Sequence, residues 1–377
     1  MSIASFTSRL RDVTSPEHGA LLKHLISLIS ISRGVMSQHY LSWDIYDRAF
    51  RAERAPDKED RESLAKGQPK KMTVPLTFSQ VMTFVAFNVT TLTQNRRFFE
   101  LEPTGTEDNV LEEPLEHILE RDLRRNKWQS FLVQTFLDIA RFSLFAAEVG
   151  WVEQTRKVKT TQTTQSEGPF GTMEETTAET YVDVPVFQGN RVFSVSPYRF
   201  FPDTRLPLSR YQEGEFCGSE DMFTMASLRA DGALFNLDKI PKMTEKMYGE
   251  RRKNSRIDEM PVRQNPNQGS GIGTGSTNFS DLDDQAYVHT GPVVITKVVF
   301  DIRPCDFKVG EVPISDEDFV LRFVAWVAND QTVIRFEEAT YLHGQFPYIC
   351  AEYIPDQHRT INMGLAETCD QITNLIT

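Results

Sequence analysis

Leu21, Leu22, Leu25, Leu28 and Ile29 recur every three or four positions, which puts them on one face of a helix. Just ahead of them, Ser15, Pro16 and Glu17 are the types favoured at an N-cap, at the first helical position and near the positive end of a helix dipole. The aromatic segment HYLSWDIYDRAF follows. Residues 51–73 are then almost wholly charged or polar, with acids and bases mixed, the pattern of a solvated linker. From Thr77 a second helical face runs through Phe78, Val81, Met82, Val85, Val89 and Leu92, and NRRFFELEP closes it and leads extended into Pro103. The longest helical signal runs from Glu107 to Trp151. It carries one stripe of Val110, Leu111, Leu115, Ile118, Leu119 and Leu123, and another of Phe131, Leu132, Phe136, Ile139 and Phe145. Between them lies a basic cluster, Arg121, Arg124, Arg125 and Lys127, the composition of a solvated helix face or of a phosphate-binding patch.

Beyond Gly150 the period drops to two. Val182, Val184 and Val186 alternate with polar or proline residues, and threonine-rich flanks surround a Gly-Pro tip, so 155–187 predicts a long hairpin. RVFSVSPYRFFPD completes that β unit, its prolines fixing φ while its aromatics fold back over the open end. A helical stretch is expected from Asp221 to about Arg252. Residues 253–290, rich in Asn, Gly, Ser and Asp, predict a loop or disordered insert. PVVITKVVFDIRPCDF predicts a strand, and Asn329-Asp330 predict the turn of a hairpin joining Phe319–Val327 to Thr332–Phe336. No internal repeat is evident.

Composition narrows the class. The chain has 377 residues, 40% hydrophobic and 11% aromatic, enough to bury a core. No run of eighteen apolar residues occurs and the polar start has no secretory h-region, which predicts a soluble cytosolic or particle-bound protein with no membrane partner. The four cysteines, Cys217, Cys305, Cys350 and Cys369, stand far apart without a CxxC pair, which predicts reduced, mostly buried thiols. A net charge of -12 argues against general nucleic-acid binding, since phosphate contacts need clustered Lys and Arg.

The motifs of common chemistries are missing or incomplete. Gly269, Gly271, Gly273 and Gly275 lack the strand before and the helix after that a dinucleotide loop needs. Asp281, Asp283 and Asp284 lack the glycine and the later glutamate of a calcium loop. His343 and His358 bracket FPYICAEYIP as surface or capping residues, and no HxH or HxxxH pair exists. No P-loop or nucleophile elbow is present, so neither a catalytic residue, a cofactor nor a metal is expected.

Four segments together resemble the tailed-bacteriophage portal protein family, the head-to-tail connectors. SPYRFFPDTRLPLSRYQEGEFCGSEDMFT is similar to that family's Pro-aromatic, Pro-Asp, acidic passage, carried here by Pro197, Phe200, Phe201, Pro202 and Asp203. SWDIYDRAF with KKMTVPLTFSQVMTFVAFNVTTLTQNRRFFELEP resembles its N-terminal pattern, and EPLEHILERDLRRNKWQSFLVQTFLDIARFSLFAAEVGWVE its long helical pair ending in a Gly-aromatic-Val strand. HGQFPYICAEYIPDQHRTINMGLAETCDQITNLIT resembles its Pro-aromatic, Gly, acidic, Gln, Asn signature, through Phe346, Pro347, Gly364, Glu367, Gln371 and Asn374. Family chains usually continue into a tunnel loop and a crown, whereas this one stops inside an expected helix at Leu375–Thr377.

The resemblance implies an α+β fold with a C-terminal part missing. Residues 1–149 would form a helical wing with the charged linker, and 150–216 a β-barrel-like wing subdomain with a hairpin insert. Residues 217–291 would form a helix and the flexible insert, 292–345 a clip-like β region, and 346–377 the start of a C-terminal stem or wing helix. It implies a non-enzymatic subunit of a ring, usually of twelve copies, at one capsid vertex of a virion. Double-stranded DNA would pass through that ring during packaging and ejection. The implied partners are further copies of the chain, the major capsid protein, the terminase large subunit and a tail adaptor. The basic cluster would lie near an interface or the DNA. Two rival readings are another virion structural protein, such as a tail adaptor or capsid subunit, and a metal-dependent hydrolase using Asp203, Asp281 and Asp283.

Overall fold

The computed structural model describes residues 3–52, 75–94, 100–102, 105, 110–167, 173–241, 292–309, 312–341, 343–356 and 359–369. Helices and antiparallel sheets alternate along the chain, an α+β arrangement. Helix α1 (Ile3–Leu10) leads into α2 (Pro16–Phe50), where the predicted cap forms: Ser15 Oγ accepts a hydrogen bond from His18 N at 3.1 Å, with Pro16 in the first turn. The aromatic segment expected to follow this helix is its second half, because His39, Tyr40, Trp43 and Tyr46 sit at helical spacing, with Tyr40 and Trp43 facing the same neighbours. By length and composition α2 could cross a bilayer, a test that the core helix of a soluble protein also passes. It buries Leu21, Leu25, Leu28, Ile29, Met36 and Trp43 within the fold.

The second predicted face folds as α3 (Leu76–Thr93), which buries Val81 and Val85 against Ala140 and Phe136. The long helical signal divides into α4 (Glu112–Arg125) and α5 (Trp128–Phe142), and the prediction fails beyond that point. Ser143 adopts a left-handed conformation (φ 59°) and ends α5, and strand β1 (Leu144–Glu167) begins one residue later. Phe145 is therefore a strand residue, although it still packs beside Ile139.

β1 pairs with β2 (Met173–Val195) continuously from Ala146↔Val195 to Glu167↔Met173, with a bulge at Gln154/Thr155, so the long hairpin forms as read. On its other side β1 pairs with β10 (Tyr348–Glu352), completing a three-stranded sheet in the order β10-β1-β2. Within 346–377, expected to hold the start of a C-terminal helix, Tyr348–Glu352 is a strand, and among the described residues helix is present at 365–369. Tyr348, Ile349 and Cys350 alternate between buried and outward positions, a period of two within a segment too short to show it in sequence.

A second sheet has the order β3-β4-β5-β8-β9, made of β3 (Phe200–Pro202), β4 (Phe216–Thr224), β5 (Pro292–Ile302), β8 (Leu321–Ala328) and β9 (Thr332–Glu338). The small pair β6 (Lys308–Val309) and β7 (Val312–Pro313) stands beside it. Asn329 and Asp330, at φ 50° and 55°, make the predicted turn between β8 and β9. The helix expected from Asp221 begins later. Asp221–Thr224 completes β4, paired to Ile295–Pro292, and among the described residues of this stretch, which end at Pro241, α6 (Met225–Ala230) and a single turn at Leu237–Lys239 are helical. Strands from the segments expected as wing, insert and clip thus share one sheet. The linker from residue 53, Gly269–Gly275, Asp281, Asp283, Asp284, His358, Gln371, Asn374 and Leu375–Thr377 lie outside the described residues.

α2 spans the two largest hydrophobic clusters among the described residues. Its first half covers the five-stranded sheet, where Leu21, Leu25, Leu28 and Ile29 meet Phe201, Phe216, Phe300, Phe323 and Phe336. Its second half places Met36 and Trp43 with Phe142, Leu144, Tyr198, Phe200, Phe346 and Tyr348 at the edge of the three-stranded sheet. At 35 residues α2 is roughly 50 Å long, enough to reach across both.

Candidate functional site

SPYRFFPD carries the chain from one sheet to the other. β2 ends at Val195, Pro197–Arg199 makes one tight turn, and Phe200–Pro202 becomes the edge strand β3 of the five-stranded sheet. Proline suits an edge strand because its missing N–H leaves no ladder bond unmade. The predicted cover over the open end of the hairpin is replaced by a crossover whose three aromatics point into these two clusters. Tyr198 and Phe200 enter one and Phe201 the other, all with at most 6% of their surface exposed. Helix α2 grips this crossover. Tyr40 Oη donates to Tyr198 O at 3.0 Å and Ser32 Oγ to Pro202 O at 2.7 Å, while Trp43 meets the Tyr198 ring edge-on at 5.1 Å. Arg33 lies over the Phe201 ring at 5.0 Å and pairs with Glu220 at 2.6 Å and Asp330 at 2.9 Å.

Asp203 ends the crossover. Its buried carboxylate accepts from Arg205 N (3.1 Å), Arg205 Nε (2.8 Å), Arg205 Nη2 (2.6 Å) and Glu215 N (3.0 Å). Burial alone would raise its pKa, but these hydrogen bonds outweigh burial and hold the carboxyl below the usual range. Gly214 fits tightly beside it: a Cβ there would stand 2.8 Å from that of Asp203. A carboxylate so fully engaged by protein donors has little left for a metal, which weighs against Asp203 as a hydrolase ligand. Among the described residues no group of three or more His, Cys, Asp or Glu is placed to hold a metal ion.

The second signature segment folds onto the first, although some 150 residues separate them. Phe200 and Tyr348 pack with ring centroids 5.8 Å apart, and Tyr348 Oη lies 3.0 Å from Ser219 Oγ on β4. Between the segments, the turn Leu208–Glu213 acts as a clasp. Gln212 Oε1 accepts from Phe346 N at 2.7 Å, Gln212 Nε2 donates to Tyr348 O at 3.1 Å, and Tyr211 Oη donates to Tyr348 O at 2.7 Å. From β8, Arg322 pairs with Asp301 through two bonds of 2.6 and 2.7 Å, donates to Gly344 O, and covers the Phe346 ring at 4.0 Å. Pro347 O accepts from Val149 N at 2.8 Å, which ties the segment to β1. Gly364 seats against the α5–β1 corner, where an added Cβ would come within 3.2 Å of Ser143 N, and Ser143 Oγ donates to Met363 O. Tyr211, Gln212 and Arg322 escaped the sequence reading because their partners are distant backbone atoms, which no local pattern reveals.

Beside this joint lies a polar cleft of about 420 Å³, lined by Asp47, Arg51, Gln134, Asp138, Arg141, Phe142, Ser194, Ser196, Pro197 and Tyr198. Asp47 pairs with Arg51 at 2.9 Å and with Arg141, whose guanidinium lies over the rings of Phe50 and Phe142. Burial pushes the Asp138 carboxyl up to about 7, partly opposed by a hydrogen bond from Gln134 Nε2 at 2.8 Å. Lys297 on β5 reaches Glu148 on β1 at 2.9 Å, a further link between the sheets.

The basic cluster lies at the surface. Arg121, Arg124, Arg125 and Lys127 are exposed, with Arg121 against Asp122 and Arg124 against Glu120, while Lys127 (φ 52°) occupies the break between α4 and α5. The two amphipathic stripes have different fates. The Phe131–Phe136 stripe packs inward, whereas Leu111, Leu115, Ile118 and Leu119 remain exposed on α4. His343 is exposed and its Nδ1 accepts from Gln345 N, as a capping residue does. All four cysteines are free thiols, with Cys217 and Cys369 buried. Comparison with protein-family models and with curated protein sequences finds no match to this chain.

Proposed function

We propose that the chain is a structural subunit of a portal-type ring, a channel at a capsid vertex for double-stranded DNA. The observation that carries this reading is the convergence of the two signature segments. Pro197–Asp203 and Phe346–Gly364, singled out by resemblance alone, build one joint between two sheets, clasped by Tyr211, Gln212 and Arg322. Buried aromatics and the hydrogen bonds of Tyr211 and Gln212 at that joint fix the angle between the sheets. A subunit that must repeat at constant geometry around an axis needs such a fixed angle, because a heterologous contact closes into a ring only at a set rotation.

A net charge of -12 per copy suits such a channel, since a negative lining repels phosphates and lets a duplex slide instead of binding. The subunit would act without bond chemistry or a cofactor, in the virion, alongside the capsid protein, terminase and tail adaptor that the resemblance implies. Native mass spectrometry and negative-stain class averages of the purified protein test this. A closed ring, nearest twelve copies, with a central hole is expected; a monomer at every salt concentration refutes it.

A further inference from the structure

Glu352 is the last residue of β10 and lies across from Leu144, the first residue of β1, at the corner where α5 gives way to the sheet. Asn362 reaches it from the segment that follows β10, its Nδ2 donating to Glu352 Oε2 at 2.9 Å. The other half of each group is stranded. Glu352 Oε1 and Asn362 Oδ1 are both buried and, among the described residues, neither has a hydrogen-bond partner. An ionised carboxylate only accepts, and so does an amide oxygen, so an ionised Glu352 offers nothing to Asn362 Oδ1. Buried acceptors left in that state cost free energy. One proton resolves both, because a carboxylic acid and a primary amide each present one donor beside one acceptor and can pair through two parallel hydrogen bonds.

The surroundings favour that proton. Burial pushes the Glu352 carboxyl up to about 7; the Asn362 hydrogen bond opposes this, the negative charge of Asp356 adds to it, and the Asp356 backbone bond opposes it. Among the described residues no lysine or arginine acts on the carboxyl. Cys350, two places back on the same face of β10, is a thiol that burial keeps neutral. From β1 the register partner is the apolar Leu144, and the buried acid of α5, Asp138, is bonded by Gln134 and lines the polar cleft instead. The segment that Asn362 belongs to is the buttress of the corner. Met363 O accepts from Ser143 Oγ at 3.1 Å, and Gly364 packs against Ser143 N.

We propose that Glu352 is protonated in this fold and donates from Oε1 to Asn362 Oδ1, closing a two-bond acid–amide latch whose ionisation frees residues 359–369 from the α5–β1 corner. The latch is independent of the ring reading above. Because the folded carboxyl lies above its unfolded value of 4.5, its contribution is complete below that value and is lost as pH rises through about 7. Opening of the segment should therefore become about tenfold more frequent between pH 6 and pH 8. Hydrogen–deuterium exchange of peptides spanning 359–369, read by mass spectrometry and corrected for the intrinsic pH dependence of exchange, measures this opening. The wild-type protein should lose about tenfold in protection across that range. Glu352→Gln, whose amide makes the same two bonds at either pH, should stay protected at both. Asn362→Leu should exchange at pH 6 at least as fast as the wild type does at pH 8. Asp138→Asn, which removes the other raised carboxyl, should keep the wild-type change. A wild type equally protected at both pH values, a Glu352→Gln variant that keeps the tenfold change, or an Asp138→Asn variant that loses it would overturn the latch. Should Glu352→Gln fail to fold, an Asn362→Leu variant as protected at pH 6 as the wild type would overturn it alone.

Discussion

Asp203 sits where the crossover turns into the clasp, and replacing it with alanine isolates what its carboxylate does. Asp203→Ala removes the acceptor of four hydrogen bonds. The Arg205 guanidinium is half exposed and keeps its partner Glu215 at 2.6 Å, so most of its loss is made up by water and that carboxylate. The amides of Arg205 and Glu215 are less well placed to recover, and a buried donor left without a partner costs about 1–3 kcal/mol. Two such donors would cost about 2–6 kcal/mol, and because both contacts are only part-buried the expected loss lies at the lower end of that range. Urea unfolding followed by tryptophan fluorescence reads it, because Trp43 packs on Tyr198 at the same joint. Asp203→Asn should cost less at neutral pH, since it retains one acceptor oxygen. Because the folded carboxyl lies below the usual range, its contribution is present above the unfolded pKa near 4 and is lost as pH falls through the folded one. A loss under about 0.5 kcal/mol, the range of an ordinary surface substitution, would refute the reasoning.

Other substitutions probe neighbouring parts of the same construction. Gly364→Val should destabilise by about 1–3 kcal/mol through overpacking at the α5–β1 corner, measured by urea unfolding, and should be worse than Gly364→Ala. Glu148→Gln should cost about 1–3 kcal/mol because it leaves the nearly buried Lys297 with a weaker partner; equal midpoints for variant and wild type would remove this pair from the links between the sheets. Asp138 takes up a proton more readily folded than unfolded, so its contribution to stability falls as pH rises from about 4 to about 7. Asp138→Asn should therefore raise the melting temperature more at pH 8 than at pH 5, and an equal shift at both would count against a carboxyl raised by burial. His18 Nε2 accepts from Val333 N at 3.0 Å, and burial lowers its pKa, so stability should drop as pH falls below about 6.5 and less steeply in His18→Gln.

Features governed by neighbours in sequence were legible. The Ser15-Pro16-Glu17 start of α2, the Asn329-Asp330 turn and the alternation of Val182, Val184 and Val186 each depend on residues a few positions apart. Features governed by distant partners were not. LFAAEVG read as helix because alanines and apolar residues continue past Phe142 without a glycine or proline; Ser143 in a left-handed conformation, buttressed by Met363 and Gly364, ends the helix instead. The strand at Tyr348–Glu352 exists because Leu144–Glu148 offers it a ladder. Pro197–Asp203 and Phe346–Pro347 stood out in the sequence, but only the fold shows that they touch, and that Tyr211, Gln212 and Arg322 hold them together.

The central claim is that this subunit repeats around a pore, and imaging the purified protein by electron microscopy without added partners tests it most directly. Class averages showing a closed ring with a hole wide enough for a duplex, about 20 Å or more across, are the predicted result. Particles the size of one copy at every salt and protein concentration would contradict it.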